Sequence, residues 1–315
     1  MVRRGTQHIW LVLLALTMTS VVFLPARGEE PEKSKDAVHI GLVNTLFRDT
    51  PEALLKVVME PFGSLMESQT GVHGQLIMAG DAHDLTQRLK DGKIQLGVFN
   101  GVEFAWAQQE YPELKPLMIA VCKDPRLHAY IVVRNDSEIS SFDDLHQKSL
   151  AVPRRSRQHC HLFLRRCCRE RGHEAKNYFT QITAPAGVES ALDDVVAGKV
   201  QASVVDSVGL DSYQREKPGC YARLKTIKVS ETFPAAVIVY VPGRLDAGTL
   251  GRFKDGMSRA NDTAVGRQLL SAVRLTGFEQ VPSDYQKTLT DIIKAYPPPS
   301  AAEKTPSVHT ATKSH

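Results

Sequence analysis

The 315-residue sequence lacks the motifs that usually announce chemistry. It has no Gly-x-Ser-x-Gly elbow, no phosphate-binding Gly-Lys-Ser/Thr loop and no His-Glu-x-x-His pair. Nucleophile, base and metal therefore never meet at the spacings that hydrolases and nucleotide enzymes use. The paired acids Asp143-Asp144 and Asp193-Asp194 fall where helix caps or solvent faces are expected. No enzyme and no cofactor are expected. There is also no Cys-x2-Cys pair, the short spacing that closed zinc sites favour. Internal repeats and low-complexity stretches are absent from the body of the chain.

Long apolar runs are scarce too. Only Ile9–Leu24 stands out, with Arg3 and Arg4 before it and the small residues Ala26 and Gly28 behind it. That order predicts a cleaved secretory signal over residues 1–28. Thr17, Thr19 and Ser20 interrupt the run, leaving less than the ~20 clean apolar residues that a spanning helix wants. No Cys follows it, which argues against a lipid anchor. Removing the segment takes three arginines and no acid, leaving 36 basic against 35 acidic residues. A chain so nearly neutral has no broad basic field for nucleic acid or a membrane surface. Five cysteines in an exported chain leave at least one thiol unpaired. A Cys122–Cys220 bridge stays open.

What is present is an alternation of strands and helices. Short apolar runs at 38–43, 75–79, 94–99 and 117–121 are separated by helical stretches at 50–70, 81–90 and 102–109. Thr50-Pro51-Glu52 opens the first helix with a cap, a proline at its first position and an acid in its first turn. Gly71 and Gly92 close helices. The pattern restarts with strands at 129–134, 149–152, 179–183 and 200–205 and helices at 159–170, 187–197 and 208–215. Further strands are predicted at 224–229 and 236–241, then two or three helices up to Tyr296. Pro297-Pro298-Pro299 ends them, and residues 298–315 are predicted to be a disordered tail. This is an α/β chain of about two domains, with mostly parallel sheets flanked by helices. Ligands of such sheets sit beyond the carboxyl ends of strands, where helix N-termini converge. The candidate loops are 44–49, 99–102, 153–159, 184–189 and 206–209.

The stretches TPEALLKVVMEPFGSLMESQTG, LTQRLKDGKIQLGVFNGVEFAWA, AYIVVRNDSEISSFDDLHQKSLAV and VESALDDVVAGKVQASVVDS resemble the phosphate/phosphite/phosphonate-binding proteins of ABC importers. The resemblance runs from about Val38 to Tyr296. It implies a two-lobed type 2 periplasmic binding protein fold with a cleft between the lobes. Lobe one would be 36–125 plus 232–297 and lobe two 126–231, with hinges near 126–128 and 230–234. It further implies an extracytoplasmic, periplasmic monomer that captures a small anionic or zwitterionic ligand and passes it to a membrane permease.

The same resemblance carries Glu189 and Asp206 to family positions that meet the ligand, and Tyr130 to an aromatic place in the cleft. The family's Ser-Thr-Ser-Gly cradle reads here as Ser156-Arg157-Gln158-His159-Cys160, which leaves only Ser156 as a hydroxyl. Arg157, Gln158 and His159 could replace the other hydroxyls, since an anion wants donors and Arg binds it with two. The expected ligand residues are thus Thr45, Asn100, Tyr130, Ser156, Arg157, Gln158, His159, Glu189, Asp206 and Ser207, with no metal. Blander roles stand beside these: solvated arginines at 154–157, and caps for Glu189 and Asp206. Acids in an anion cleft favour a zwitterion or a protonated oxyanion. Two rival functions remain, a ligand-sensing receptor without transport and a metal scavenger built on His159, Cys160, His161, Cys167, Cys168 and His173. Packed cysteines on a buried helix face fit that last segment better.

Overall fold

A computed structural model describes residues 37–299 except 49, 51 and 123–125, and only the backbone of 52–54, 56 and 58. The predicted signal segment, Pro51 and nearly all of the predicted tail lie outside the described residues. The first half contains β1 (Val38–Leu42), a 3₁₀ turn at Asn44–Phe47, α1 (Glu52–Thr70), β2 (Gly74–Met78) and α2 (Ala82–Lys90). It continues with β3 (Leu96–Phe99), α3 (Gly101–Glu110) and β4 (Lys115–Val121). Then come β5 (Ala129–Arg134), β6 (Ser149–Ala151), α4 (Gln158–Arg169), α5 (Ala175–Tyr178), β7 (Gln181–Thr183) and α6 (Val188–Val196). The chain goes on through β8 (Ala202–Asp206), α7 (Ser207–Glu216), α8 (Pro218–Tyr221), β9 (Leu224–Val229) and β10 (Ala236–Tyr240). It ends with α9 (Ala247–Ser258), α10 (Ala264–Ala272), β11 (Gly277–Glu279) and α11 (Tyr285–Ala295). Among the described residues no helix is long and apolar enough to cross a membrane.

The strands form two sheets, in the orders β11-β4-β10-β3-β1-β2 and β7-β6-β8-β5-β9. Apart from the edge strand β11, both follow one plan: second, first, third, a reversed strand, then fourth; in the first sheet that strand is β10, returning from beyond the second lobe, and in the second it is β5, which opens that lobe. The inserted strands β10 and β5 run against their neighbours, whereas β1, β2 and β3, and likewise β6, β7 and β8, pair in parallel. The sheets are thus mostly parallel in direction, with one reversed strand inserted in each and the edge strand β11 also reversed. The return of β10 to the first sheet makes the chain cross between lobes twice. The two crossings pair with each other: Leu127 N donates to Phe233 O at 3.3 Å and Phe233 N to Leu127 O at 2.8 Å.

Period-two alternation explains the layers. On β10, Val237 and Val239 pack with Phe104, Tyr285 and Leu289 of α3 and α11. Ile238, between them, packs with Met66, Phe253 and Met257 of α1 and α9. In the second lobe α4 covers one face through Cys160, Phe163, Leu164, Cys167 and Cys168. Leu192 of α6 and Leu210 of α7 cover the other. Local signals hold where they are strong. Asp81 caps α2, and Gly198 ends α6 with a φ of 74° that other residues resist. Pro61 sits inside α1 on its solvent side, where only one helical hydrogen bond is lost.

Candidate functional site

Two helix N-termini meet at the cleft, one from each lobe. α3 follows Asn100 and α4 follows Arg157; both residues have extended backbones and neither side chain caps its own helix. Without a side-chain cap, first-turn N–H groups remain for another acceptor, although Cys160 N already donates to the Arg157 carbonyl at 3.0 Å. Gly101 allows this closeness, since a Cβ there would lie 2.4 Å from the Pro234 carbonyl of the second crossing.

Between these helix starts opens a cavity of about 370 Å³, lined at its polar end by Thr45, Arg48, Asn100, Ser156, Arg157, Gln158 and His159. Among the described residues, Arg48, Arg155, Arg157 and Arg274 line it and no Asp or Glu does. Arg155 and Arg274 hold left-handed backbones, with φ of 58° and 57°. Such strain, of the order of 1–3 kcal/mol each, persists only where surrounding structure enforces it.

Arg157 ties the lobes together. Its Nη1 donates to Cys122 Sγ at 2.9 Å and its Nη2 to the Arg274 carbonyl at 3.0 Å. Its Nε lies 3.5 Å from Asp206 Oδ2 of its own lobe. Asp206 in turn caps α7, accepting from Gly209 N at 2.7 Å. Gln158 reaches the other way, its side-chain oxygen accepting from Arg48 Nη2 across the cleft. His159 is buried with its ring 5.3 Å from that of Phe233. Burial pushes its pKa down to about 4, so it is neutral at ordinary pH, and its Nε2 has no hydrogen-bond partner. Ser156 donates to the Pro153 carbonyl at 2.6 Å and so closes its own turn.

On the first lobe a buried acid organises the wall. Glu103, 3% exposed in the first turn of α3, accepts from Thr45 Oγ1 at 2.8 and 2.7 Å and from Asn100 Nδ2 at 2.8 Å. Burial leaves its pKa raised despite those hydrogen bonds, and the bonds hold Thr45 and Asn100 in place.

The structure thus gathers Thr45, Asn100, Ser156, Arg157, Gln158 and His159 at one cavity, with Asp206 behind Arg157. Four expected residues do not line it, Asp206 among them. Glu189 pairs with Lys217 at 2.7 Å, beside Asp193 at 2.6 Å from the same ammonium. Tyr130 packs beside β8 and α7, its ring 6.3 Å from that of His128. Ser207 opens α7, with its N–H on the His128 carbonyl at 3.0 Å. Sequence reasoning did not single out Glu103, Phe233 or Arg274, and considered Cys122 only as a possible disulfide partner of Cys220. Arg48 lay inside a named loop, and an acid three residues after Asn100 was the available signal for Glu103. All five cysteines are free thiols. Cys160, Cys167 and Cys168 are packed in the second lobe's core, and burial raises Cys167 to about 12 and Cys168 to about 11. They stay protonated, as packed core thiols do.

The family described as "ABC transporter, phosphonate, periplasmic substrate-binding protein" matches residues 47–285. No match is found among curated protein sequences. Among solved structures, the chain is similar to a binding protein of an ABC phosphonate transporter from Pseudomonas aeruginosa. That likeness is 16% identical over 82% of this chain and 85% of that one, with a TM-score of 0.54. A Prochlorococcus marinus protein in complex with methylphosphonate is 14% identical over 82% and 97%, TM-score 0.56. A Xanthomonas citri protein bound to ATP is 16% identical over 83% and 97%, TM-score 0.56. These likenesses show the fold, and the family match covers most of the chain. The chain belongs to the phosphonate-type periplasmic substrate-binding proteins of ABC transporters, extracytoplasmic carriers rather than enzymes.

Proposed function

We propose that this protein captures a phosphorus oxyanion, a phosphonate, phosphite or phosphate, in the cleft between its lobes and delivers it to an ABC permease by hinge closure. The observation that carries this is the charge of the cavity wall: four arginines and no carboxylate among the described residues. A dianion there meets charge-assisted donors and two free helix ends, a combination that selects tetrahedral oxyanions. Lobe one (36–125 plus 232–297) and lobe two (126–231) would pivot about the paired crossings at Leu127 and Phe233. Arg157, which holds both lobes, would exchange its protein partners for the ligand. The acids Glu189 and Asp206 stand outside the wall, so the arrangement favours an ionised head over a zwitterion. The protein would act as a monomer and would not bind nucleic acid.

The test is a melting curve of the full chain with methylphosphonate, phosphite and phosphate. A ligand at 100 times its Kd raises stability by about 2.7 kcal/mol. Replacing Arg48 and Arg157 together by Ala should abolish that rise. If none of the three anions moves the melting temperature, the reading is wrong.

A further inference from the structure

The cavity is larger, and far more apolar, than a phosphonate head requires. From the arginine-lined mouth it runs into the first lobe, between the sheet and the helices α1 and α9. There its walls are Leu76, Val98 and Ile238 from the sheet and Met59, Phe62 and Phe253 from the helices. A second observation agrees. Val98 and Ala236 lie on β3 and β10, strands interior to the sheet, yet both are only partly buried. The comparable positions Ile131 and Val204 in the second sheet are 0% exposed. The helices of the first lobe therefore leave space beside Val98 and Ala236, although Met66, Phe253 and Met257 still pack on Ile238, and this apolar chamber opens beside the anion-binding residues.

The geometry points to an amphiphilic ligand: a phosphorus oxyanion head at Arg157 and the helix starts, carrying an alkyl tail laid in this chamber. This rests on the oxyanion reading above and names the substrate class within it. Apolar cavities of about 150 Å³ stay dry and accept one benzene ring. The 370 Å³ here is more than twice that, and it also holds the head. A tail of about six to ten carbon atoms follows from this scaling. Methionine and phenylalanine on the helix side suit such a tail, since flexible thioethers adapt to irregular apolar shapes. Among the described residues, the walls of the chamber named above are all apolar.

The experiment titrates the full chain with methyl-, butyl- and octylphosphonate by calorimetry, with 1-octanol as a tail lacking the head. Each added methylene should tighten binding about threefold until the chamber is full. From methyl to octyl the gain should exceed about a hundredfold after ordering costs. Octanol alone should bind far more weakly than octylphosphonate. Ala236→Phe, which places a ring in the chamber, should keep the methylphosphonate affinity and erase the gain with length. Should that variant fail to fold, the slope measured on the unaltered protein still decides. Methylphosphonate binding with no gain, or a loss, on lengthening overturns the chamber's assignment and leaves the oxyanion reading intact. Octanol binding with no response to any phosphonate overturns both.

Discussion

The two lobes share one strand plan but are not filled alike. In the second, α4 lies flat on its sheet, and Cys160, Phe163, Cys167 and Cys168 are buried to 2% exposure or less. In the first, Met66, Phe253 and Met257 of α1 and α9 are as deeply buried, but beside them a chamber stays open and Leu76, Val98 and Ala236 keep part of their surface. Identical topology therefore does not dictate identical packing. One lobe acts as a rigid support for charged donors, and the other holds room behind its half of the cleft.

Mutations in matched layers sharpen this difference. The largest effect is expected from Phe163→Ala, which empties a site that has no slack: about 3–5 kcal/mol of stability by urea unfolding. Phe62→Ala should cost at most about half as much, because one side of that ring already faces open space. An equal loss at both positions would break the comparison.

Next comes pH, through His159 on the rigid lobe. Its folded pKa of about 4 lies below the ~6.5 of an exposed histidine, so between those values the unfolded chain binds the extra proton. The stability gained by keeping it neutral is complete above pH 6.5 and is lost as pH falls towards 4, about 3 kcal/mol in all. His159→Leu should flatten the unfolding free energy over that window. An unchanged pH slope would mean that the imidazole is not held neutral.

Smaller again are the filling substitutions. Ala151→Leu, in the second sheet, should overpack and cost about 1–3 kcal/mol. Ala236→Leu, facing the chamber, should be neutral or stabilising, as cavity-filling changes commonly are. The smallest effect is expected at Glu189. Its pairing with Lys217 predicts that Glu189→Ala leaves both the melting temperature and phosphonate binding unchanged. A clear loss of binding would return Glu189 to the ligand's surroundings.

Much of the fold was legible because its signals are local. The runs AYIVVR and LKTIKV read as strands to the residue, and Asp81 and Gly198 announce the ends of their helices. The reversed strands were not legible as such, because direction is set by which sheet a strand joins and not by its own side chains. α5 and β11 were missed because three or four residues make no period and are held by their neighbours. Of the site, the segment 156–159 was readable as a donor-rich helix start. The partners of Arg157 were not: Cys122 and Arg274 come from distant parts of the chain and carry no motif. The chamber was the least legible feature, since it depends on how far helices stand from a sheet, which periodicity does not encode.

The paired crossings have a mechanical consequence. Leu127 and Phe233 exchange both backbone hydrogen bonds, and Ser230 N donates to the Ala129 carbonyl at 2.9 Å beside them. Two strands so joined behave as a strip, soft to bending across its flat side and stiff to shearing within its plane. Opening of the proposed kind would then swing Arg157, Gln158 and His159 away from the first lobe as one unit. A ligand's contacts would break almost together, so cargo would leave in a single step.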